Sequence, residues 1–130
     1  MPALSVLPHT WAICRFNGDA PIPAWVYTGT LYAITRTSEE LSIVALDSCV
    51  PDGVRCERGW RCLKVLGPLA FSAVGIVASL AGPLARAGIG IFVISTFDTD
   101  YLLVKEGDLV RTVEALSAEG HFIRTDVNAQ

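Results

Sequence analysis

The stretch Ile94-Ser-Thr-Phe-Asp-Thr-Asp-Tyr-Leu-Leu-Val104 decides the fold, because two apolar runs divided by Phe97-Asp-Thr-Asp100 describe an antiparallel hairpin. Ile89 to Thr96 is apolar on both sides, as a central strand would be, and Tyr101 to Val104 is its partner. Downstream, Asp108 is placed to cap a helix that carries Leu109, Val110, Val113 and Leu116 inward while Arg111, Glu114 and Glu119 face water. Gly120 ends that helix, and Phe122 to Thr125 returns as a strand. Upstream, Trp60 to Val65 reads as a strand, Gly67-Pro68 leads into a helix, and Gly88 stops it. The predicted order from Trp60 is strand, helix, strand, strand, helix, strand, which suits an antiparallel sheet with helices on one face.

The helix between those strands lies in an uncharged stretch, Val65 to Ala85, that is long enough to cross a bilayer. At about 100° per residue, Ser72, Gly75, Ser79, Gly82 and Arg86 gather on one side and Val74, Val77, Leu80, Ala81 and Leu84 on the other. A span facing lipid has no reason to segregate its small and polar residues in this way, so a helix laid on a sheet is the better reading. Pro83 predicts a kink or an early end.

The first half reads as a worn copy of the second. Trp11-Ala-Ile-Cys-Arg-Phe16 parallels Trp60-Arg-Cys-Leu-Lys-Val65 at an offset of 49, and Ile34 to Val44 parallels Ile94 to Val104 at an offset of 60. In that frame Arg36 and Thr37 stand where Thr96 and Phe97 stand in the second copy. The long helix is replaced by Pro21-Ile-Pro-Ala-Trp-Val-Tyr27, so the first copy carries a much shorter one. Ala45 to Gly59, with Pro51, Asp52 and Gly53, is expected to be the loop joining the copies. The predicted halves are residues 8–59 and 60–126.

Composition narrows the function classes. The 130 residues are 52% hydrophobic, enough for a core, and the net charge of -3 leaves no basic domain or tail for nucleic acid. Met1 to Trp11 has no Lys or Arg ahead of an apolar stretch and is interrupted by Pro2 and Pro8, so it does not read as a secretory signal and a cytoplasmic protein is expected. Cys14, Cys49, Cys56 and Cys62 are expected to be reduced, and their spacing lacks the close pairs of a metal site. No cofactor is called for.

Pro21-Ile-Pro-Ala-Trp25, Thr35 to Val44, Glu57-Arg-Gly-Trp-Arg-Cys-Leu-Lys64 and Ile94 to Val104 together resemble the small tandem ACT-like proteins related to the CASTOR arginine sensors. The likeness runs over about residues 8 to 122. It implies an α+β fold of two ferredoxin-like βαββαβ halves side by side, and a regulatory, allosteric role in binding amino acids. It also implies a homodimer and effectors seated at an interface between units, near the loop from first strand to first helix. Here that loop is Leu66 to Ser72, with Leu66 standing where ACT domains often carry Asn or Asp.

The residues themselves supply what a zwitterion needs. Backbone N–H groups at the start of the helix after Gly67-Pro68 form an anion site for a carboxylate. Asp98 or Asp100 offers an acceptor for an ammonium or a basic side chain, Ser95 and Thr96 add hydroxyls, and Phe97 walls the pocket or stacks on a guanidinium. With Leu69 and Phe71 of the loop, the candidate ligand-binding residues are Gly67, Pro68, Leu69, Phe71, Ser95, Thr96, Phe97, Asp98 and Asp100. Asp and Thr also stabilise tight turns through their own backbone, which is the plainer reading of the same residues. Catalysis fares worse: His9 sits near a terminus and His121 follows a helix-ending glycine, in surface or capping positions, with no nucleophile beside either. The expectation is therefore a non-enzymatic amino-acid sensor acting on an unidentified protein target. The alternative is a ligand-free oligomerisation module working through protein contacts.

Overall fold

A computed structural model describes residues 2–67 and 74–125. In chain order they form strands β1 (Ala3–Val6), β2 (Trp11–Phe16), β3 (Ala33–Arg36), β4 (Leu41–Leu46) and β5 (Cys56–Val65), helix α1 (Ile76–Arg86), strands β6 (Ile91–Ser95) and β7 (Asp100–Lys105), helix α2 (Leu109–Ala118) and strand β8 (Phe122–Arg124). Single 3-10 turns stand at Ala24–Tyr27, Asp47–Cys49 and Glu106–Asp108. The chain divides into two compact units, Met1–Pro8 with Arg61–Gln130, and His9–Trp60. Strand β5 contributes its last five residues to the first, helical unit and its first five to the second, strand-rich one.

The helical unit is a βαββαβ arrangement with one strand added. Its strands lie in the order β6-β7-β5-β1-β8, with β1 antiparallel to β5 (Leu4 opposite Val65) and parallel to β8 (Leu4 opposite Ile123). Alternate residues Leu4 and Val6, Leu63 and Val65, and Leu102 and Val104 point to one face, where Leu80 and Leu84 of α1 and Leu116 of α2 close the core over them. This is the α+β, helices-on-one-face architecture that the hydrophobic pattern predicts. The hairpin is antiparallel as expected, Ile94 standing opposite Tyr101. Strand β6 is not central, however: among the described residues it pairs only with β7, and its apolar side chains are half-buried.

Both helices correct the expected phase. Helix α1 starts at Ile76, behind Gly75 at φ 77°; the stretch just after Gly67, where the helix was expected to begin, lies outside the described residues. Its buried stripe is Ile76, Leu80, Pro83 and Leu84, the i, i+4, i+7, i+8 set, which leaves Val74 exposed at 89% and Val77 at the surface. Pro83 is tolerated inside the last turn, and the chain leaves the helix through Ala87 and Gly88. Among the described residues no helix is long and apolar enough to cross a membrane. In α2 the buried residues are Thr112 and Leu116, and Val110, expected inward, is 69% exposed. Asp108 is the N-cap residue but makes no side-chain capping bond; its carbonyl accepts from Thr112 Oγ1 at 2.8 Å instead.

The strand-rich unit repeats the same strand order, β3-β4-β2-β5, with each helix reduced to one 3-10 turn. Its core gathers Ala12, Cys14, Val26, Leu41, Ile43, Ala45 and Val50. The segment expected to be a joining loop holds the end of β4 and the start of β5, since Cys56 pairs with Cys14 and Glu57 with Ile13. Asp47 locks this corner: its carboxylate accepts from Arg58 Nη1 at 2.6 Å and from the Gly59 N–H at 2.9 Å. That carboxylate hydrogen bond is also the main reason the Arg58 guanidinium is held above its ordinary pKa.

The two hairpins match in geometry at a spacing of 59, not 60. Thr37 Oγ1 bonds the Glu40 carbonyl and N–H, and Thr96 Oγ1 bonds the Thr99 carbonyl and N–H, while the last rungs are Arg36 opposite Leu41 and Ser95 opposite Asp100. Thr37 therefore corresponds to Thr96 and Arg36 to Ser95. The apolar identities on β4 and β7 are too alike to resolve a slip of one residue; the threonine-capped turn does.

Burial pushes the Cys62 thiol from 9.0 up to about 12, and burial, followed by the opposing Cys56, does the same for Cys14. The unfolded chain releases these protons near pH 9 while the folded chain keeps them. Stability is then whole below pH 9 and declines toward pH 12, by up to about 1.4 kcal/mol per pH unit for each thiol. Urea midpoints taken between about pH 8 and 11 should fall, and fall less steeply in Cys62→Ala. Equal slopes in the two proteins would refute the assignment.

Candidate functional site

The site forms where the β6–β7 turn meets the end of β5. The turn is held by the Thr96 to Thr99 bonds, and Thr99, which is buried, donates Oγ1–H to the Val65 carbonyl at 2.6 Å. That bond fastens the acid-bearing turn two residues before Gly67. Neighbouring Ser95 donates Oγ–H to Asp100 Oδ1 at 2.6 Å across the last rung of the hairpin. Phe97 is 76% exposed, and Asp98 is exposed with it.

The structure thus brings Gly67, Ser95, Thr96, Phe97, Asp98 and Asp100 to one end of the β5–β7 pair. Pro68, Leu69 and Phe71 lie outside the described residues. The backbone N–H groups after Gly67-Pro68, expected to form an anion site, also lie outside the described residues, and α1 begins at Ile76. Two residues enter that sequence reading passed over. Thr99 positions the turn, and Tyr101 stands beside it with its phenol pKa raised, first by burial and then by Cys62 and Asp98. Tyr101 was visible only as a strand aromatic, and the Thr99 bond spans 34 residues, so no local signal marks either.

The equivalent corner of the strand-rich unit is closed by its own side chain. Arg36 donates Nη1–H to the Gly18 carbonyl and Nη2–H, at 2.7 Å, to that of Ala20, so its guanidinium spans the loop after β2. Gly18 is pressed against the β3–β4 turn: a Cβ there would stand 2.7 Å from the Ser38 carbonyl oxygen. Ser95 occupies the matching hairpin position in the helical unit and reaches only as far as Asp100.

His121 corrects the surface role expected of it. The ring is buried, with Nδ1 3.3 Å from the Pro2 carbonyl and Nε2 3.2 Å from that of Ser79, so it joins the chain before β1 to α1. Among the described residues no group of three or more His, Cys, Asp or Glu could hold a metal ion.

This strand order is that of a ferredoxin-like α+β fold, and the comparisons agree. An ACT domain model matches residues 55–118, and a second model, described as an N-terminal domain, matches residues 9–53. Residues 55–118 of the chain are thus an ACT domain. The chain is 45% identical to a protein of Agobacterium tumefaciens solved by X-ray crystallography, with a TM-score of 0.91 over 96% of this chain and 93% of that one. It is also similar to the cytosolic arginine sensor for mTORC1 subunit 1, 47% identical over 58 residues in Homo sapiens and 43% in Mus musculus. Those matches take in 44% of this chain and span 18% of the sensor's length. The ligand-free regulatory subunit of aspartate kinase from Thermus thermophilus shares the fold, with a TM-score of 0.63 at 11% identity over 88% of this chain and 95% of that one.

Replacing Thr99 by the isosteric valine strands the Val65 carbonyl and should cost about 1–3 kcal/mol. The exposed Thr37→Val should cost clearly less, since water can replace its bonds. Urea denaturation of both variants checks this, and equal losses would deny Thr99 its anchoring role.

Proposed function

We propose that the chain is a non-catalytic regulatory module that binds a small amino acid or related metabolite beside the Gly67 end of β5. The observation that carries this reading is the Thr99 to Val65 bond, which holds the carboxylates of Asp98 and Asp100 and the hydroxyls of Ser95 and Thr96 next to the start of the strand-to-helix loop. Pro68, Leu69 and Phe71 complete the proposed site from the loop, with Phe97 as its apolar wall. The carboxylates receive the ammonium or a basic side chain, and backbone N–H groups receive the carboxylate. Arginine is the first ligand to test, because it is what the similar mammalian protein is named for sensing. A cytosolic setting accords with the same name.

A homodimer belongs to the proposal, the second copy supplying the interface between ACT-like units at which the effector sits. Val74, Val110 and Phe122 leave apolar surface on the helical unit for such a contact. Binding that prefers one arrangement of the dimer shifts the population toward it, and a protein target reads the shift.

A thermal-shift screen of the twenty amino acids tests the reading. A ligand at 100 times its dissociation constant should stabilise the protein by about 2.7 kcal/mol, and Asp100→Ala should abolish the effect with the fold intact. Retained affinity removes Asp100 from the site. A flat screen leaves the ligand-free oligomerisation module in its place.

A further inference from the structure

The core of the strand-rich unit contains two thiols that the sheet sets face to face. Cys14 of β2 stands directly opposite Cys56, the first residue of β5. One residue further, the Arg15 N–H donates to the Arg55 carbonyl at 3.0 Å, so by the alternation of an antiparallel ladder the cysteine rung is a non-hydrogen-bonded one. Such a rung brings its side chains closest, with Cα atoms about 4.5 Å apart, just inside the span of roughly 4.4–6.8 Å that a disulfide bridges. Both side chains lie on the core face, Cys14 among Val26, Leu41 and Ile43 and Cys56 packed against them. The two sulfurs are near enough to hydrogen-bond, and both cysteines are free thiols.

The two thiols differ in access. Cys14 is 2% exposed, and burial together with the facing Cys56 keeps its proton in place. Cys56 is half-buried, at the open end of the β2–β5 pairing. An oxidant therefore meets Cys56 first and Cys14 second, the order of a reacting and a resolving cysteine. Among the described residues the other two thiols have no such partner, Cys62 being fully buried further along β5 and Cys49 standing in a 3-10 turn.

We infer that Cys14 and Cys56 form a modification site for hydroperoxides, closing to a disulfide that locks β2 to β5. The Cys56 thiolate attacks the peroxide O–O bond, which breaks to give a sulfenic acid on Cys56 and a hydroxide that takes up the proton the thiol had lost. The Cys14 sulfur then attacks the Cys56 sulfur; the S–S bond forms as the S–O bond breaks, and the hydroxyl leaves with the Cys14 proton as water. Two thiols are oxidised, and one hydrogen peroxide is reduced to two waters. The bond closes residues 14–56 into a ring that holds β3, β4 and the Asp47 corner, so β2 and β5 stay joined when the unit unfolds. A rung at the short end of the bridging range gives a strained bond that a thiol reopens, which makes the step reversible. The inference does not rest on the Gly67–Asp100 site.

The test is treatment of the full, reduced chain with hydrogen peroxide, blocking of the remaining thiols with N-ethylmaleimide, and mass spectrometry of a tryptic digest made without reductant. Cleavage after Arg15, Arg55 and Arg58 should yield residues 1–15 joined to residues 56–58, with Cys49 and Cys62 alkylated. Cys14→Ser should stop the cross-link and leave a sulfenic acid on Cys56 that dimedone traps. Cys56→Ser, a change at a half-buried position that keeps the fold, should leave Cys14, Cys49 and Cys62 alkylated. Millimolar glutathione should return both thiols in the native protein, and the cross-linked chain should have a higher urea midpoint than the reduced one. Because the mapping uses the unaltered chain, it decides the matter even where Cys14→Ser fails to fold. Cys14 and Cys56 both alkylated after peroxide, a bond joining any other pair, or Cys56 ending as a sulfinic acid would overturn the inference. A cross-linked chain with an unraised midpoint would overturn the lock.

Discussion

The helical unit depends on a four-residue strand that is bonded along both of its edges. Strand β1 pairs with β5 on one side and β8 on the other, and the pairing extends past its ends through Leu7 N–H to the Cys62 carbonyl and Leu66 N–H to the Ala3 carbonyl. Leu4 and Val6 are at once its inward side chains and part of the core beneath α1 and α2. His121 holds the chain just before it through the Pro2 carbonyl. A strand so short gains little by itself; its stability comes from satisfying two ladders and filling a core together. Val6 also lines a cavity bordered by Arg61, and the Leu7 carbonyl just beyond the strand accepts from Arg61 Nη2.

The hairpin, α2 and the return of β8 were legible because their signals are local: apolar runs, turn residues and a glycine after a helix. Strand β1 was not, since Ala3-Leu-Ser-Val6 between two prolines has no periodicity to read and its partners lie far along the chain. The first half of β5 was hidden for a related reason. Glu57, Arg58 and Gly59 look like loop, and what makes strand of them is tertiary: the pairing with β2 and the Asp47 carboxylate, which holds Arg58 and the Gly59 N–H. In α1 the apolar residues outnumber those the core can take, so composition could not fix the phase.

The same division holds at the site. Asp98 and Asp100 were legible as turn residues able to meet a cation, but the hydroxyl that positions them, Thr99, declares itself only through a bond to a distant strand. The paired hairpins teach the clearest lesson. Equivalent turns carry Arg36 in one unit, spanning its own loop, and Ser95 in the other, where the hydroxyl reaches only the carboxylate of Asp100.

The added strand also sets an order of assembly. Strand β1 leaves the ribosome ahead of every partner it will have: Leu4 waits for Val65, and Ala3 waits for Phe122. By then β2, β4 and the first half of β5 are already available to one another. The strand-rich half can thus mature early, while the helical half must close its longest loop last, inserting its opening segment between two strands made much later. Until that insertion, both edges of β1 and the facing edges of β5 and β8 are unpaired, and it is there that a nascent chain is open to mispairing.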